Sequence, residues 1–514
     1  MKIINKIKAR FAKSLAENPQ TDLEGLEGQP DNRSQLPTYS ISHLFIPIGE
    51  LFSYEILLMI SEEMNVPMNV VRKDLGKITK GMISDVTVCI EYPYVDEYYR
   101  DTYYSFYARK HSSYNRFCFR LSFFSDDVNE QNFYDIELPG RYYGYIVLRP
   151  TPRRVIGYTF LTPAIYKNNT FVVCLCERSS FVKGRKVTVN AFPFSGQDGE
   201  MNSCAEVCIT MMFDYFSRRY NKYSRVLPSQ IASQLTESIL DRKQPSIGID
   251  IDTIASIMNS FNVNTRLYYK AHTDEEANKN NHYSENEFKK LLHIYIESGF
   301  PIYIATETHA MLAIGRSNRL FFSSPQIITM NDSKKPYWQL QNENEVVSFV
   351  VPMPENILLD VDVLNPIKDL GVVANDYPAA GIEISETGFY NRVYLTTSRS
   401  YKSYIVNSGL SQENKNYIVS TAMPRFIWVC ETIKSTDARK AIDNIELSNI
   451  ALFDSTDYPS EYNHIIIVKT NTKLLIPYDE KTHMRKRAFK VVDSTEALYP
   501  FTNNLKGSTN NWNI

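Results

Sequence analysis

The spacing of hydrophobic and polar residues changes between the helical and the strand period and divides the chain into three structured regions. From 39 to 190, helix-like patterns at 49–64 and 95–111 precede segments that alternate as strands do. From 191 to 335, patterns of helical period are followed by apolar strands. From 336 to 514, strand-like segments surround one helix-like segment and end in a polar tail. The sequence therefore predicts an α+β protein in which a central domain lies between two α+β accessory domains.

Residues 1–38 have a different pattern. Apolar residues recur every four positions among lysines and arginines, which predicts a short basic amphipathic helix: Ile3, Ile7, Phe11 and Leu15. Such a helix can lie on a membrane surface or dock on a partner, although a frayed terminal helix is the simpler interpretation. Residues 19–38 are polar, contain Gly and Pro, and predict a linker. Neither a secretory signal nor a transmembrane segment is predicted, because no apolar run is long enough.

Composition narrows the class of protein. The chain has 514 residues, 43% of them hydrophobic, and a net charge of -2. This length predicts roughly two to four domains, and the charge gives no reason to expect a nucleic-acid partner. The 7 cysteines are odd in number and lie mostly within apolar runs. They predict reduced, buried thiols and a cytoplasmic protein rather than a disulfide framework.

The segment SGQDGEMNSCAEVCITMMFDYF, residues 195–216, places a cysteine at the start of an apolar helical pattern. Ser203 or Asn202 is a suitable N-cap, so Cys204 is expected in the first turn, where unpaired N–H groups and the helix dipole favour a thiolate. The same N–H groups can bind an oxyanion, and Gln197 could add a donor from its side chain. The alternative interpretation is that Cys204 is a small buried core residue.

A thiolate nucleophile needs a general base, and histidine is the residue best suited to that role. Among the 8 histidines, His309 has the strongest context. The stretch SGFPIYIATETHAMLAIG predicts a strand, a short turn and a second strand that begins at this histidine. His464 also precedes an apolar strand and is the main alternative.

The order of these features resembles that in the papain-like cysteine peptidases. A glutamine, a loop and a cysteine at a helix start come first, then several helices, and finally SGFPIYIA and HAMLAIG. The resemblance is closest to their C39-like branch and covers about residues 191–326. It implies a papain-like thiol hydrolase core at 191–335. It also implies that Cys204 is the nucleophile, His309 the base and Gln197 the oxyanion residue.

The sequence departs from that family at two positions. Ala205 follows the cysteine where the C39-like branch usually has glycine. Ser324 stands before a proline where the related pattern has an aspartate that orients the imidazole, so Ser324 is the first candidate for that role. Asn318, in the preceding turn, and Asp332, just beyond, are the alternatives, and the sequence does not choose among them.

The predicted function is hydrolysis of a peptide or isopeptide bond in a peptide or protein substrate through a thioester on Cys204. No metal or organic cofactor is expected, and the flanking domains are expected to regulate the site. With an amine in place of water, the same residues would form a transglutaminase-like acyltransferase. With a weak partner for His309, the domain would be a pseudo-peptidase that binds a peptide or protein.

Overall fold

The structure of the protein is a computed structural model. It describes residues 41–201, 203–238, 249–273, 275–317, 325–354, 357–359, 361, 365–383, 388–437, 444–457, 464–478 and 488–507. The predicted N-terminal helix and linker, residues 1–38, lie outside the described residues, as do Asn318 and Ser324. Helices and mostly antiparallel sheets make up the described chain, which confirms the predicted α+β class.

The described residues contain the following regular elements. The α-helices are α1 (Tyr54–Met64), α2 (Met68–Thr79), α3 (Glu97–Ser105), α4 (Cys204–Arg219), α5 (Pro228–Ser238), α6 (Ile251–Ser260), α7 (Glu285–Glu297), α8 (Pro366–Asp376), α9 (Ser398–Val406) and α10 (Gln412–Ser420). The strands are β1 (Ser42–Pro47), β2 (Val86–Tyr94), β3 (Cys118–Ser125), β4 (Tyr142–Leu148), β5 (Ile156–Leu161), β6 (Phe171–Val173), β7 (Cys176–Val182), β8 (Arg185–Ala191), β9 (Phe194–Ser195), β10 (Asn264–Lys270), β11 (His282–Tyr283), β12 (Ile302–Ala305), β13 (Ala310–Ser317), β14 (Ile327–Met330), β15 (Trp338–Gln339), β16 (Ser348–Met353), β17 (Phe389–Thr397), β18 (Phe426–Lys434), β19 (Asn449–Asp454), β20 (Ile465–Thr470), β21 (Lys473–Tyr478), β22 (Ala488–Asp493) and β23 (Lys506–Gly507).

The first sheet is antiparallel and has the strand order β1-β2-β3-β4-β5-β9. Strands β3 and β5 are almost wholly buried, as their nearly continuous apolar runs predict, whereas the edge strand β1 is mostly half-buried. The tyrosine-rich helix α3 packs on this sheet, and Tyr98 stacks on Tyr158 of β5 with ring centroids 4.4 Å apart. Strand β9 is the last strand of the sheet and leads directly into the loop before α4, so the first sheet fixes where that loop begins.

The central sheet has the order β11-β10-β16-β12-β13-β14-β15, and β6 and β23 extend it from β13. Helix α4 packs on β13 and is buried from Ala205 to Phe216. Strand β6 comes from the region before 191, while β16 and β23 come from the region after 335. The predicted domain boundaries at 190 and 335 therefore do not coincide with the edges of the sheets. Strand pairing over such distances has no local signature in the sequence, which is why the pattern placed the boundaries elsewhere.

The C-terminal region forms a third sheet, in which β17 to β22 are paired in chain order. Helix α7 lies between this sheet and the central one, since it contacts both β17 and β13. A buried ion network joins the two sheets at the end of α7: Glu297 binds Arg316 of β13 and Arg392 of β17, and Arg392 also binds Glu431 at 3.0 Å. Removing one partner from such a network leaves an uncompensated buried charge, so the network links the stability of the two sheets.

Candidate active site

Helix α4 begins at Cys204, with Ser203 as its N-cap residue. The Ser203 N–H donates to the buried Glu206 carboxylate at 2.9 Å, and the Ser203 hydroxyl donates to the same carboxylate. This capping box fixes the start of the helix at Ser203, one of the two residues that the sequence offered as the N-cap. The first N–H groups of a helix have no partner within it, so the chain around Cys204 offers hydrogen-bond donors and the positive end of the helix dipole.

His309 stands at the end of a tight turn between β12 and β13. Ala305 and Ala310 are paired across the hairpin, and Thr306 closes the turn because its hydroxyl accepts from the His309 N–H at 3.1 Å. Because α4 packs on β13, the hairpin carries the imidazole to the start of the helix. The side chains of His309 and Cys204 interact closely enough for the cysteine to raise the pKa of the imidazole. The structure thus brings together the two residues that the sequence proposed as nucleophile and base.

The other side of the imidazole is held by the loop after β14. His309 Nε2 lies 3.0 Å from Asn331 Oδ1, which also accepts from the Ser333 N–H at 2.9 Å. Since a backbone N–H can only donate, Oδ1 is the acceptor in both bonds, and Nε2 of His309 carries a hydrogen. Because Asn331 and Asp332 occupy the Nε2 side, Nδ1 is the ring nitrogen available to Cys204. The cysteine, the histidine and the amide side chain thus have the order of contacts found in a Cys-His-Asn triad.

Asp332 supplies a negative charge behind the imidazole. Its side chain is fully buried, and Oδ1 lies 3.3 Å from His309 Nε2. Burial raises the pKa of Asp332, while the positive charges of His309, Arg154 and Lys77 oppose that rise. The two residues at the end of β14 therefore have separate parts: Asn331 orients the ring, and Asp332 stabilises its positive charge.

The environment raises the pKa of His309 from 6.5 to about 9. The interaction with the Cys204 side chain is the largest cause; partial burial opposes it, and the Asn331 hydrogen bond and the Asp332 charge add to it. At neutral pH the ring is therefore protonated in the folded protein. An imidazolium next to a cysteine is the arrangement that stabilises a thiolate nucleophile and later protonates a leaving group.

The loop before α4 contains Gln197, which is half-buried. The loop is held on both sides of this residue: Arg149 donates to the Gly196 carbonyl at 2.6 Å, and buried Asp198 accepts from the Met201 N–H at 2.8 Å. Gly196 approaches β5 so closely that a Cβ atom would lie 2.8 Å from the Ile156 carbonyl oxygen. A loop anchored in this way can hold the Gln197 amide in one place, as an oxyanion donor requires.

The remaining candidates from the sequence fall elsewhere. Ser324 and Asn318 lie outside the described residues, whereas Asp332 is at the site. His464 is buried in the C-terminal region, where it stacks on Phe453 and lies 3.0 Å from Asp369, so its ring is paired away from Cys204. Sequence reasoning missed Asn331. Its signal was the polar pair Asn-Asp directly after the apolar strand β14, the antiparallel neighbour of the strand that His309 precedes.

Cys204 differs from every other cysteine in the chain. All seven are free thiols; Cys204 is half-buried, and the other six are buried. Burial raises the pKa of these six thiols, well above the usual range for Cys208, one turn further into α4. Buried, protonated thiols are poor nucleophiles, so Cys204 is the cysteine from which thiol chemistry is expected.

Comparison with known proteins returns no match: no family model, no curated protein and no solved structure matches this chain. A search of the described residues finds no cluster of ligating side chains suited to a metal ion. It also finds no helix with the length and apolar character needed to cross a membrane.

Proposed function

We propose that this protein is a cysteine-dependent hydrolase with a papain-like core, which cleaves a peptide or isopeptide bond through a thioester on Cys204. The observation that carries the proposal is the placement of the His309 imidazole between Cys204 and the Asn331–Asp332 pair. A histidine with a purely structural role requires neither a cysteine at a helix start on one side of its ring nor a buried carboxylate on the other. The whole set agrees with the resemblance to the C39-like branch, with Asn331 in place of the expected aspartate.

In the proposed mechanism, the Cys204 thiolate attacks the carbonyl carbon of the substrate, and the carbonyl electrons move to oxygen. The Cys204 N–H and the Gln197 side-chain amide donate to this oxyanion. His309 then gives its Nδ1 proton to the leaving amine as the C–N bond breaks, which leaves a thioester on Cys204. The neutral imidazole next removes a proton from water, the resulting hydroxide attacks the thioester, and the acid is released with the thiolate restored.

The same thioester can react with an amine instead of water, so acyl transfer is the second outcome of this chemistry. Asn331 and Asp332 favour an enzyme over a pseudo-peptidase, because a protein that only binds peptides has no use for a polarised imidazole.

We also propose a cytoplasmic location, since the 7 free cysteines suit a reducing compartment. Regulation by the flanking regions is proposed as well, because both contribute strands to the sheet that carries His309.

The proposal is tested by the rate at which iodoacetamide labels each cysteine, read by peptide mass spectrometry between pH 5 and 9. At pH 6 an ordinary thiol, with a pKa of about 8.5, is less than about 1% thiolate, so labelling there requires a stabilised thiolate. We expect Cys204 alone to react quickly at pH 6 and to lose most of that reactivity in His309→Ala. His293→Ala is the matched control, because His293 is also half-buried and pairs with a glutamate at 3.0 Å. Labelling of Cys204 that follows the ordinary thiol profile in wild type and His309→Ala alike would refute the proposal.

A further inference from the structure

A cavity of about 100 Å³ lies at the opposite end of α4 from Cys204. Cys204 begins this helix, the cavity adjoins its last residues, and 16 helical residues span about 24 Å, so the cavity is separate from the active site. It also adjoins the paired ends of β10 and β16, where Asn264 lies opposite Met353, and the start of β18. Parts of the central and the C-terminal regions therefore build its walls together.

The walls of the cavity are mainly aromatic. The ring centroid of Phe216 lies 6.0 Å from that of Tyr220 and 5.6 Å from that of Tyr223. The rings of Tyr220 and Tyr223 are 6.3 Å apart and meet edge to face. Phe300 and Phe426 complete the aromatic lining. At such separations aromatic rings attract one another, so an entering ring would find both faces and edges to pack against.

The size of the cavity limits what it can hold. Apolar cavities of about 150 Å³ take up benzene, whereas sites for small-molecule ligands usually enclose about 300–1,000 Å³. At about 100 Å³, and open at one side, this cavity has room for one aromatic side chain but not for a cofactor or a nucleotide. The shape and lining therefore suit a side chain that projects from another protein.

Two exposed cations, Lys222 and Arg425, stand at the rim of the cavity. The Lys222 ammonium lies 5.8 Å from the Tyr223 ring centroid, and the Arg425 guanidinium lies 5.6 Å from that of Phe426. Among the described residues that line the cavity, none is acidic. Within the same part of the chain, the Arg425 guanidinium has no ion pair or side-chain hydrogen bond. A ring bound here would have positive charge beside it, which favours a negatively charged ligand.

We infer that this cavity binds an aromatic side chain from an acidic segment of a partner protein, and that Arg425 pairs with a carboxylate next to that side chain. The ring would bury its apolar surface among the aromatic walls, and a guanidinium can donate two parallel hydrogen bonds to a carboxylate. A nucleic acid fits less well, because its phosphates call for a row of cations, whereas this rim has two and the chain has a net charge of -2. The inference goes beyond the proposed hydrolase activity and does not depend on it.

Short peptides and the methyl group of Met353 test the inference. Met353 is 5% exposed and lines the cavity, so a ring bound there would change its methyl resonance through the ring current. The whole chain is labelled with ¹³C at the methionine methyl groups, and Met353→Leu assigns the signal. The probes are acetyl-Asp-Phe-Asp-amide, its neutral counterpart acetyl-Asn-Phe-Asn-amide, and acetyl-Asp-Ala-Asp-amide, which lacks the ring. We expect the first peptide to shift the Met353 signal in a saturable titration, while the signal of Met64, on α1, stays in place.

Each part of the ligand has its own expected effect. Acetyl-Asp-Ala-Asp-amide should leave the Met353 signal unshifted, because it has no ring. The neutral peptide should bind about two- to fivefold more weakly than the acidic one, and Arg425→Gln should remove most of that difference. Arg100→Gln is the matched control, because Arg100 is also an exposed arginine beside an aromatic ring, 5.9 Å from the Tyr104 centroid, and does not line the cavity. This control should preserve the difference between the two peptides.

The inference is overturned if none of the peptides shifts the Met353 signal. Equal binding of the acidic and neutral peptides to wild type would overturn it too, as would equal loss of the difference in Arg425→Gln and Arg100→Gln. The dinucleotide uridylyl-uridine is tested alongside, and a stronger effect on Met353 than that of the acidic peptide would indicate a nucleic-acid partner instead. None of these results involves Cys204, so the failure of peptide binding and the failure of the hydrolase proposal are distinguished by the separate labelling of that cysteine.

Discussion

The protonation of His309 gives the most quantitative prediction. Its pKa rises from 6.5 to about 9, which corresponds to about 3 kcal/mol in favour of the imidazolium. The side chain is 23% exposed, so solvent screening reduces this to about 2 kcal/mol. Because the folded-state pKa is raised, the contribution to stability is fully present below pH 6.5 and is lost as the pH rises through about 9.

The causes of this shift predict how variants rank. The interaction with the Cys204 side chain is the largest favourable cause, followed by the Asn331 hydrogen bond and the Asp332 charge. Cys204→Ala should therefore move the His309 midpoint furthest back toward 6.5. Asn331→Ala should lower it by less, and Asp332→Asn by the least, because the latter keeps the shape of the side chain and removes only its charge.

The measurement is an NMR titration of protein labelled with ¹³C at histidine Cε1, with the His309 signal assigned from its loss in His309→Gln. The signal of His293, on α7, serves as the internal reference, because none of the variants changes its partner Glu343. A wild-type His309 midpoint at or below 6.5 would refute the proposed thiolate–imidazolium pair. A midpoint that stays near 9 in Cys204→Ala would show that the cysteine does not stabilise the imidazolium.

Three further predictions concern the framework that holds the site. Glu297→Gln leaves two buried guanidinium groups short of a partner and should cost on the order of 3 kcal/mol, seen as a lower urea midpoint. The exposed control variant Glu62→Gln should leave the urea midpoint of the wild-type protein unchanged. Equal urea midpoints for Glu297→Gln and wild type would contradict the stabilising role of the ion network. Gly315→Ala places a Cβ atom 2.1 Å from the Val172 carbonyl oxygen, so the melting temperature of this variant should fall by several degrees. An unchanged melting temperature would contradict the close packing of β6 on β13. Deletion of 336–514 removes β16 from between β10 and β12, so circular dichroism should show an unfolded product; a folded fragment would contradict the shared sheet.

The sequence predicted the local parts of the site because each has a local signal. Ser203 before an apolar helical pattern marks a helix start, and the apolar stretches around the turn at 306–309 mark a hairpin. The position of the residue that orients His309 has no such signal. It depends on which strand pairs with β13 and in which register, and the pairing of Leu312 with Met330 places Asn331 next to the histidine. The position at which the related pattern has its aspartate is Ser324 in this chain, which lies outside the described residues.

The same reasoning explains what was missed in the fold. Strands such as β3 and β5 are nearly continuous apolar runs and could be recognised directly. Helix α10 has a weak periodic pattern and buries only Asn414 and Ile418, so nothing in its local sequence distinguishes it from a loop. The apolar pattern of β16 predicts a strand, but its partners β10 and β12 lie far back along the chain, so the pattern alone groups it with the C-terminal region.

The most direct test of the central claim is to trap the thioester. The protein is mixed with p-nitrophenyl acetate, an acyl donor that needs no specific binding, and the peptide containing Cys204 is analysed by mass spectrometry after rapid quenching. The account predicts an acetyl group on Cys204, a burst of p-nitrophenol followed by slower turnover, and loss of both in Cys204→Ala. His309→Ala should slow acylation and turnover. Unlabelled Cys204 in the wild-type protein, or equal p-nitrophenol release from Cys204→Ala, would show that this cysteine is not a nucleophile.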